Sequence, residues 1–161
     1  MPVIELGTKI KADIRICFDL SRSIDLHQVS TASTKEKAIA GLISGLIGLN
    51  ESFTWQANHF SVKQKLTSKI TAFHRPFHFR DEQQKGAFKY MVHDHYFESD
   101  RDSVLMKDIF CFRSPLGLCG KLFDKAVLTG YLSKFLIARN LVIKEYAETE
   151  KWKSVLKESD Y

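Results

Sequence analysis

The sequence predicts an α+β fold in which one antiparallel β-sheet is covered by a single long C-terminal helix. Residues 52 to 113 hold successive runs of period-two alternation separated by polar turn residues. Residues 121 to 146 instead repeat apolar side chains at three- and four-residue steps. Strands and helices do not alternate along the chain, which disfavours a parallel sheet built from βαβ units.

The elements follow in order. Val3 to Lys11 alternate weakly and read as a first strand. Asp13 is placed to cap a short helix over Ile14 to Leu20, "SRSID" interrupts it, and Asp25 to Val29 form a second helical piece. "TASTKEK" reads as a polar connection. The next stretch, "GLISGLIGLNE", carries Gly41, Gly45 and Gly48, which weaken any helix there. By position and glycine content, Gly41 to Gly48 is either a core-packing loop or a gate over a cavity.

The most legible strand is "ESFTWQANHF", with Phe53, Trp55, Ala57 and His59 on one face and Ser52, Thr54, Gln56 and Asn58 on the other. "VKQKLTSKITAF" repeats the pattern with Val62, Leu66, Ile70 and Ala72 inward, Gln64 and Ser68 riding on the same side. The short run Phe77 to Arg80 follows, and "DEQQKG" reads as a turn. "FKYMVHDHYFES" and "VLMKDIFCFR" then form a hairpin through "ESDRDS", the second arm placing Val104, Met106, Asp108, Phe110 and Phe112 on one face. Pro115 ends the sheet. From Lys121 to Tyr146 the residues Leu122, Leu128, Leu132, Phe135, Leu136, Val142, Ile143 and Tyr146 define one amphipathic helix. The mixed-charge tail from about residue 149 is expected to fray or to extend the helix into solvent.

With 161 residues and 44% hydrophobic content, the chain reads as one domain, 1–161, able to bury its own core without a metal or disulfide staple. Cys17, Cys111 and Cys119 are odd in number and lack C-x-x-C spacing, which fits a reducing compartment. The N-terminus shows no signal-peptide pattern. The longest apolar run, Ala38 to Leu49, falls short of the ~20 residues a spanning helix needs. A cytoplasmic protein without membrane insertion is expected. The net charge of +5 is dispersed among 19 acidic residues. Lys63, Lys65 and Lys69 share a strand face, but no aromatics interleave with them, so no nucleic-acid partner is expected.

The element order is the helix-grip arrangement, and particular residues sharpen the likeness. They are Gly45-Leu-Ile-Gly48 before Glu51, then Trp55, Ala57, His59 and Phe60, then Pro76, Phe79, Asp81, Gly86 and Phe88. His93-x-His95-x-Phe97, Met106-x-Asp108, Pro115-x-Gly117 and Arg139-Asn140 complete the set. On these, the segment Gly41 to Lys144 resembles the SRPBCC superfamily of START, Bet v 1-like and polyketide cyclase-like domains. Within it, the chain is most similar to a bacterial subgroup often labelled cell-division-inhibitor-like, although no residue gives that label a physical basis. Ala87 departs from the proline common in the family after the glycine, a difference confined to a turn. The resemblance implies a curved sheet around the helix, enclosing a cavity for a lipid-, sterol- or polyketide-like ligand. It implies less about chemistry, because one fold hosts carriers and enzymes alike.

The inward faces carry His59, Gln64, Ser68 and Asp108, with His93 and His95 added if their face turns inward. A dry core would not tolerate so many, since each unpaired polar group costs on the order of 1 to 3 kcal/mol. A ligand pocket with apolar walls and a few polar points is the simplest solution. Its expected lining is Phe53, Trp55, His59, Leu66, Phe79, His93, His95, Met106, Asp108 and Phe110 from the sheet, with Leu128, Leu132 and Phe135 from the helix. The rival reading is a cyclase or hydrolase with His93 or His95 as general base oriented by Asp108. A third is an interaction protein using the sheet edge or the charged tail. Metal binding by His93 and His95 with His59 or Asp108 rests on H-x-H alone, so no metal and no cofactor are assigned.

One local ambiguity governs the histidines. Phe88, Tyr90, Val92, Asp94 and Tyr96 form a face at least as apolar as theirs, so strict alternation would turn His93 and His95 outward. A β-bulge near Met91 would turn them inward, the arrangement favoured by Asp108 on the neighbouring strand.

Overall fold

The computed structural model describes residues 1–115 and 117–157. The chain runs through β1 (Val3–Ile10), α1 (Ile14–Ser21), α2 (Ile24–Ser30), β2 (Lys37–Gly41), β3 (Ser52–His59) and β4 (Val62–His74). It continues with β5 (His78–Lys85), β6 (Tyr90–Asp100), β7 (Ser103–Arg113), α3 (Gly117–Phe123) and α4 (Thr129–Glu148). The strands form one seven-stranded sheet in the order β1-β7-β6-β5-β4-β3-β2, with every pairing antiparallel.

Local chemistry explains the helix starts. The Asp13 carboxylate accepts the Arg15 amide and caps α1, and the Ser23 hydroxyl accepts the Leu26 amide and caps α2. Both helices press on the concave side of the sheet, where Phe18 meets Phe73, Phe79 and Phe97 edge to face with ring centroids 5.3–5.4 Å apart. Burying a phenylalanine this completely is worth about 2–3 kcal/mol. A second apolar cluster joins Ile4, Met91, Phe110 and Phe112 to Leu128, Leu132 and Leu136 of the C-terminal helix.

Several expectations need correction. "TASTKEK" and the residues after it are not all connection: Lys37–Gly41 pairs with β3 as an edge strand. Asp81 to Lys85 is not a turn but the second half of β5. In β4 the register shifts between Ile70 and Ala72, so Phe73 rather than Ala72 joins the core. The C-terminal helix starts at Gly117, earlier than expected, and includes a π-helical turn over Asp124–Leu128. Beyond it, Glu150–Ser154 forms a 3₁₀ turn and Leu156 packs into the core, so this part of the tail does not fray. Residues 158–161 lie outside the described residues.

As one run, Gly117–Glu148 is long and apolar enough to cross a membrane by length and composition. Here its apolar side covers the sheet, and it carries Arg139 and Asn140 buried in polar contacts. Those features suit the core helix of this sheet.

The ambiguity in β6 is resolved without a bulge. β6 pairs with β7 in unbroken register from Tyr90↔Arg113 to Asp100↔Ser103, and Met91, His93, His95 and Phe97 all face inward. The outer face is apolar for another reason: its neighbours cover it. Asp94 is gripped by Arg80 through two bonds of 2.8 Å, and His78 stacks on Tyr96.

Candidate functional site

A cavity of about 600 Å³ lies between the concave sheet and the C-terminal helix. Its walls are Phe53, Trp55, Leu66, Ile70, Phe79 and Phe110 from the sheet and Leu128, Leu132, Phe135 and Leu136 from the helix. Exposed Phe60, Cys119 and Phe123 also line it. The cavity therefore reaches solvent between the β3–β4 turn and the start of the C-terminal helix.

Polar groups enter this volume in two clusters. The deeper one centres on Asp108, which is fully buried. Its Oδ1 lies 2.9 Å from His93 Nε2 and 2.9 Å from His95 Nδ1. The second contact is poorly aimed, leaving His95 Nδ1 without a well-directed hydrogen bond. On the other carboxylate oxygen, Asn140 Nδ2 donates at 2.6 Å. Arg139 reaches to 3.8 Å from Oδ1 and donates to the Ser21 carbonyl at 2.9 Å. On the cavity side, Asp81 Oδ2 is 3.4 Å from His95 Nε2 and 3.9 Å from His93 Nδ1.

The charges follow from this packing. Burial opposes the Asp108 carboxylate, but hydrogen bonds from both histidines outweigh it and hold the group well below the usual carboxylate range. Burial, then the charge of His95, pushes His93 down. His95 moves up, because Asp108 and Asp81 overcome its burial. The two imidazoles, with ring centroids 3.8 Å apart, are thus driven in opposite directions. Such a split pair can separate acid and base roles.

The second cluster sits nearer the opening. Glu36 is 2.6 Å from His27 Nε2 and 3.6 Å from His59 Nε2. His59 Nδ1 is 2.8 Å from the Tyr131 hydroxyl, and His27 stacks on Trp55. Burial opposes the Glu36 charge, yet the two histidines bring its pKa down to about 2. On the wall between the clusters, Ser68 Oγ is buried without a hydrogen-bond partner.

Eleven of the thirteen expected lining residues border the cavity: Phe53, Trp55, His59, Leu66, Phe79, His93, His95, Phe110, Leu128, Leu132 and Phe135. Met106 and Asp108 do not. Met106 is sealed in the core, where its sulfur accepts the Ser21 hydroxyl at 3.4 Å. Asp108 stands behind the two histidines it orients. The candidate gate also fails geometrically, since only Ile47 of the Gly41–Gly48 segment lines the cavity. The Ile47 amide donates to the Arg22 carbonyl, and the Arg22 guanidinium donates back to the Ile47 carbonyl. Bonds from Ser44 and Gly45 to Asp25 complete the tether to α2 and to Arg22 just ahead of it.

Sequence reading missed Asp81, Arg139, Glu36, His27 and Tyr131 as cavity groups. Asp81 was legible in principle, two residues after the inward Phe79. Glu36, by contrast, lies in an irregular stretch with no periodicity to orient it.

No protein-family model matches the chain, and no curated protein is similar to it in sequence. Solved structures do match. A protein of Thermus thermophilus superposes with a TM-score of 0.70 at 12% identity, covering 88% of this chain and 97% of that one. The major latex-like protein 151 of Panax ginseng gives 0.67 at 14% identity, covering 92% and 98%. A START superfamily protein of Mycobacterium smegmatis gives 0.68 at 11% identity, covering 91% and 97%. With its curved antiparallel sheet closed by a long C-terminal helix, the chain has the helix-grip fold of START and Bet v 1-like structures.

Proposed function

We propose that this protein binds a small hydrophobic molecule, lipid-, sterol- or polyketide-like, inside the cavity. The supporting observation is the cavity itself: about 600 Å³ walled by apolar side chains, in the range that holds a drug-sized ligand. Protein interiors are otherwise close-packed, and an apolar void of this size forgoes the contacts that packing would supply. The START and latex-like neighbours agree with this reading at the level of fold. It takes the chain as one cytoplasmic domain without nucleic-acid partners. Membership in the SRPBCC superfamily rests on the residue resemblance, and the cell-division label contributes nothing to it.

The test is displacement of the fluorescent probe anilinonaphthalene sulfonate, together with native mass spectrometry of the purified protein for a copurified apolar molecule. Leu132→Trp places an indole in the cavity and is expected to weaken probe binding at least ~10-fold, or ~1.4 kcal/mol. Unchanged affinity in a folded Leu132→Trp variant would remove the proposal.

A second reading is supported by the placement of His93 and His95 on the wall with Asp108 behind them. A cyclase or hydrolase would use one histidine as general base, with Asp108 positioning it. Turnover of a polyketide-like or ester substrate should then collapse in His95→Ala while ligand affinity survives.

A further inference from the structure

We infer that Asp81, His93 and His95 form a binding site for one divalent transition-metal ion, open to the cavity. This goes beyond hydrophobic-ligand binding and does not depend on it. In the sequence the histidines' candidate partners are His59 and Asp108. The fold instead brings Asp81, from the half of β5 that reads as a turn, directly opposite His93 in the β5–β6 register.

Three features of the site point to a cation. The first is the donor set: one atom from each of Asp81, His93 and His95 lies within 4.8 Å of the others. Bonds of about 2.1 Å in a tetrahedral site set ligand atoms about 3.4 Å apart. The two carboxylate–imidazole separations, 3.4 and 3.9 Å, are close to that spacing, and the third edge of the triangle is no longer than 4.8 Å.

The second is the orientation of the rings. Asp108 Oδ1 faces His93 Nε2 and His95 Nδ1 at 2.9 Å each. With protons on those nitrogens, His93 Nδ1 and His95 Nε2 are the free lone-pair donors, 3.9 and 3.4 Å from Asp81 Oδ2. For His93, whose Nε2 makes the well-aimed bond, Asp108 is a carboxylate that fixes the ring's tautomer from behind, the usual outer shell of an imidazole metal site. A proton on His95 would relieve one of these contacts only, because Asp81 is too far from His93 Nδ1, 3.9 Å, to share a hydrogen bond.

The third is charge. Among the described residues, Arg139 is the one Lys or Arg side chain in contact with Asp108, so the two buried carboxylates of Asp81 and Asp108 are faced by a single fixed cation. A buried charge without compensation is costly, so the second carboxylate calls for a cation on its cavity side, a role open to a proton on His95 or to a metal ion.

Two imidazoles and one carboxylate suit zinc or ferrous iron, with the remaining coordination positions facing the cavity. A ligand's oxygen or a water would fill them. The hydrophobic cavity then acquires one point of polar selectivity.

The test uses metal alone. The full-length protein is stripped with chelator and titrated with Co²⁺, followed by visible absorption and by calorimetry, with Zn²⁺ as competitor. One saturable site per chain is expected. Asp81→Asn and His95→Gln should each weaken it at least ~10-fold, the lower range for loss of even an outer-shell partner, and His78→Gln, on the convex face, should leave it unchanged. In the wild-type protein, which needs no variant to fold, Co²⁺ should broaden the ring resonances of His93 and His95 and leave His74 and His78 sharp. Absence of saturable binding, broadening of other histidines only, or full affinity in folded Asp81→Asn would overturn the inference.

Discussion

His59 at the end of β3 and Tyr131 on α4 are joined by a 2.8 Å hydrogen bond between imidazole Nδ1 and phenol oxygen. The bond ties the sheet to the helix beside the cavity's opening, where Phe60 also packs on Tyr131. Tyr131→Phe keeps the ring and removes the tie, at a stability cost of about 0.5–1.5 kcal/mol. Stopped-flow mixing with a fluorescent probe should show faster association and faster dissociation. Rates equal to those of the wild type would mean that the bond does not restrain entry.

The position of that opening marks where sequence reading succeeds and fails. Strands β3, β6 and β7 were legible because their alternation runs for eight residues or more, and the long helix was legible from Leu128, Leu132, Leu136 and Ile143. Asp81 was legible only by extending the alternation past Phe79, against the turn composition of "DEQQKG", whose strand pairing comes from β4 and β6. The outer face of β6 misled for a related reason: Val92 and Asp94 are shielded by neighbouring strands, and a linear pattern carries no information about who covers whom. Glycine content suggested a gate at Gly41–Gly48, yet hydrogen bonds to Arg22 and Asp25 hold that segment down.

The Glu36 cluster makes acid stability predictable. Its pKa falls from the ordinary value of 4.5 to about 2 on folding. A depressed carboxylate pKa contributes stability that is present above the unfolded value and lost as pH falls toward the folded one. The relevant window is therefore about pH 5 to 2, and the contribution is of order 3 kcal/mol. Urea unfolding at neutral pH should show Glu36→Gln less stable than wild type. Near the acid end of that window the difference should shrink, since the folded Glu36 carboxylate is then taking up its proton. His27, His59, Tyr131 and Arg139 are the titratable groups that feel this carboxylate, and a pH-independent difference would assign the effect to packing instead.

Asp108 is the polar centre of the fold as well as of the site. Asp108→Ala leaves Arg139 and Asn140 without their shared partner inside the protein, which should cost about 3–5 kcal/mol. Asn140→Ala removes one donor and leaves the histidine contacts in place, so a smaller loss of about 1–3 kcal/mol is expected. Chemical denaturation monitored by Trp55 and Trp152 fluorescence would rank them. The reverse order would mean that the carboxylate is dispensable for folding.

Two glycines should respond in opposite directions to alanine. Gly41 has φ of +71°, and a Cβ there would collide with the Ser52 carbonyl oxygen across the β2–β3 pair. Neither atom can swing away as a flexible side chain could, so Gly41→Ala must open the edge of the sheet, at a cost of about 1–3 kcal/mol. Gly130 lies within α4, and a Cβ there meets nothing within 4 Å. Alanine at that position narrows the unfolded ensemble without strain and should stabilise by about 0.4–1 kcal/mol. Thermal unfolding of the two variants therefore tests the backbone at the edge of the sheet and within the long helix. A stabilising Gly41→Ala would show that β2 is not held against β3 at that carbonyl, and a destabilising Gly130→Ala would show that the helix face there is covered.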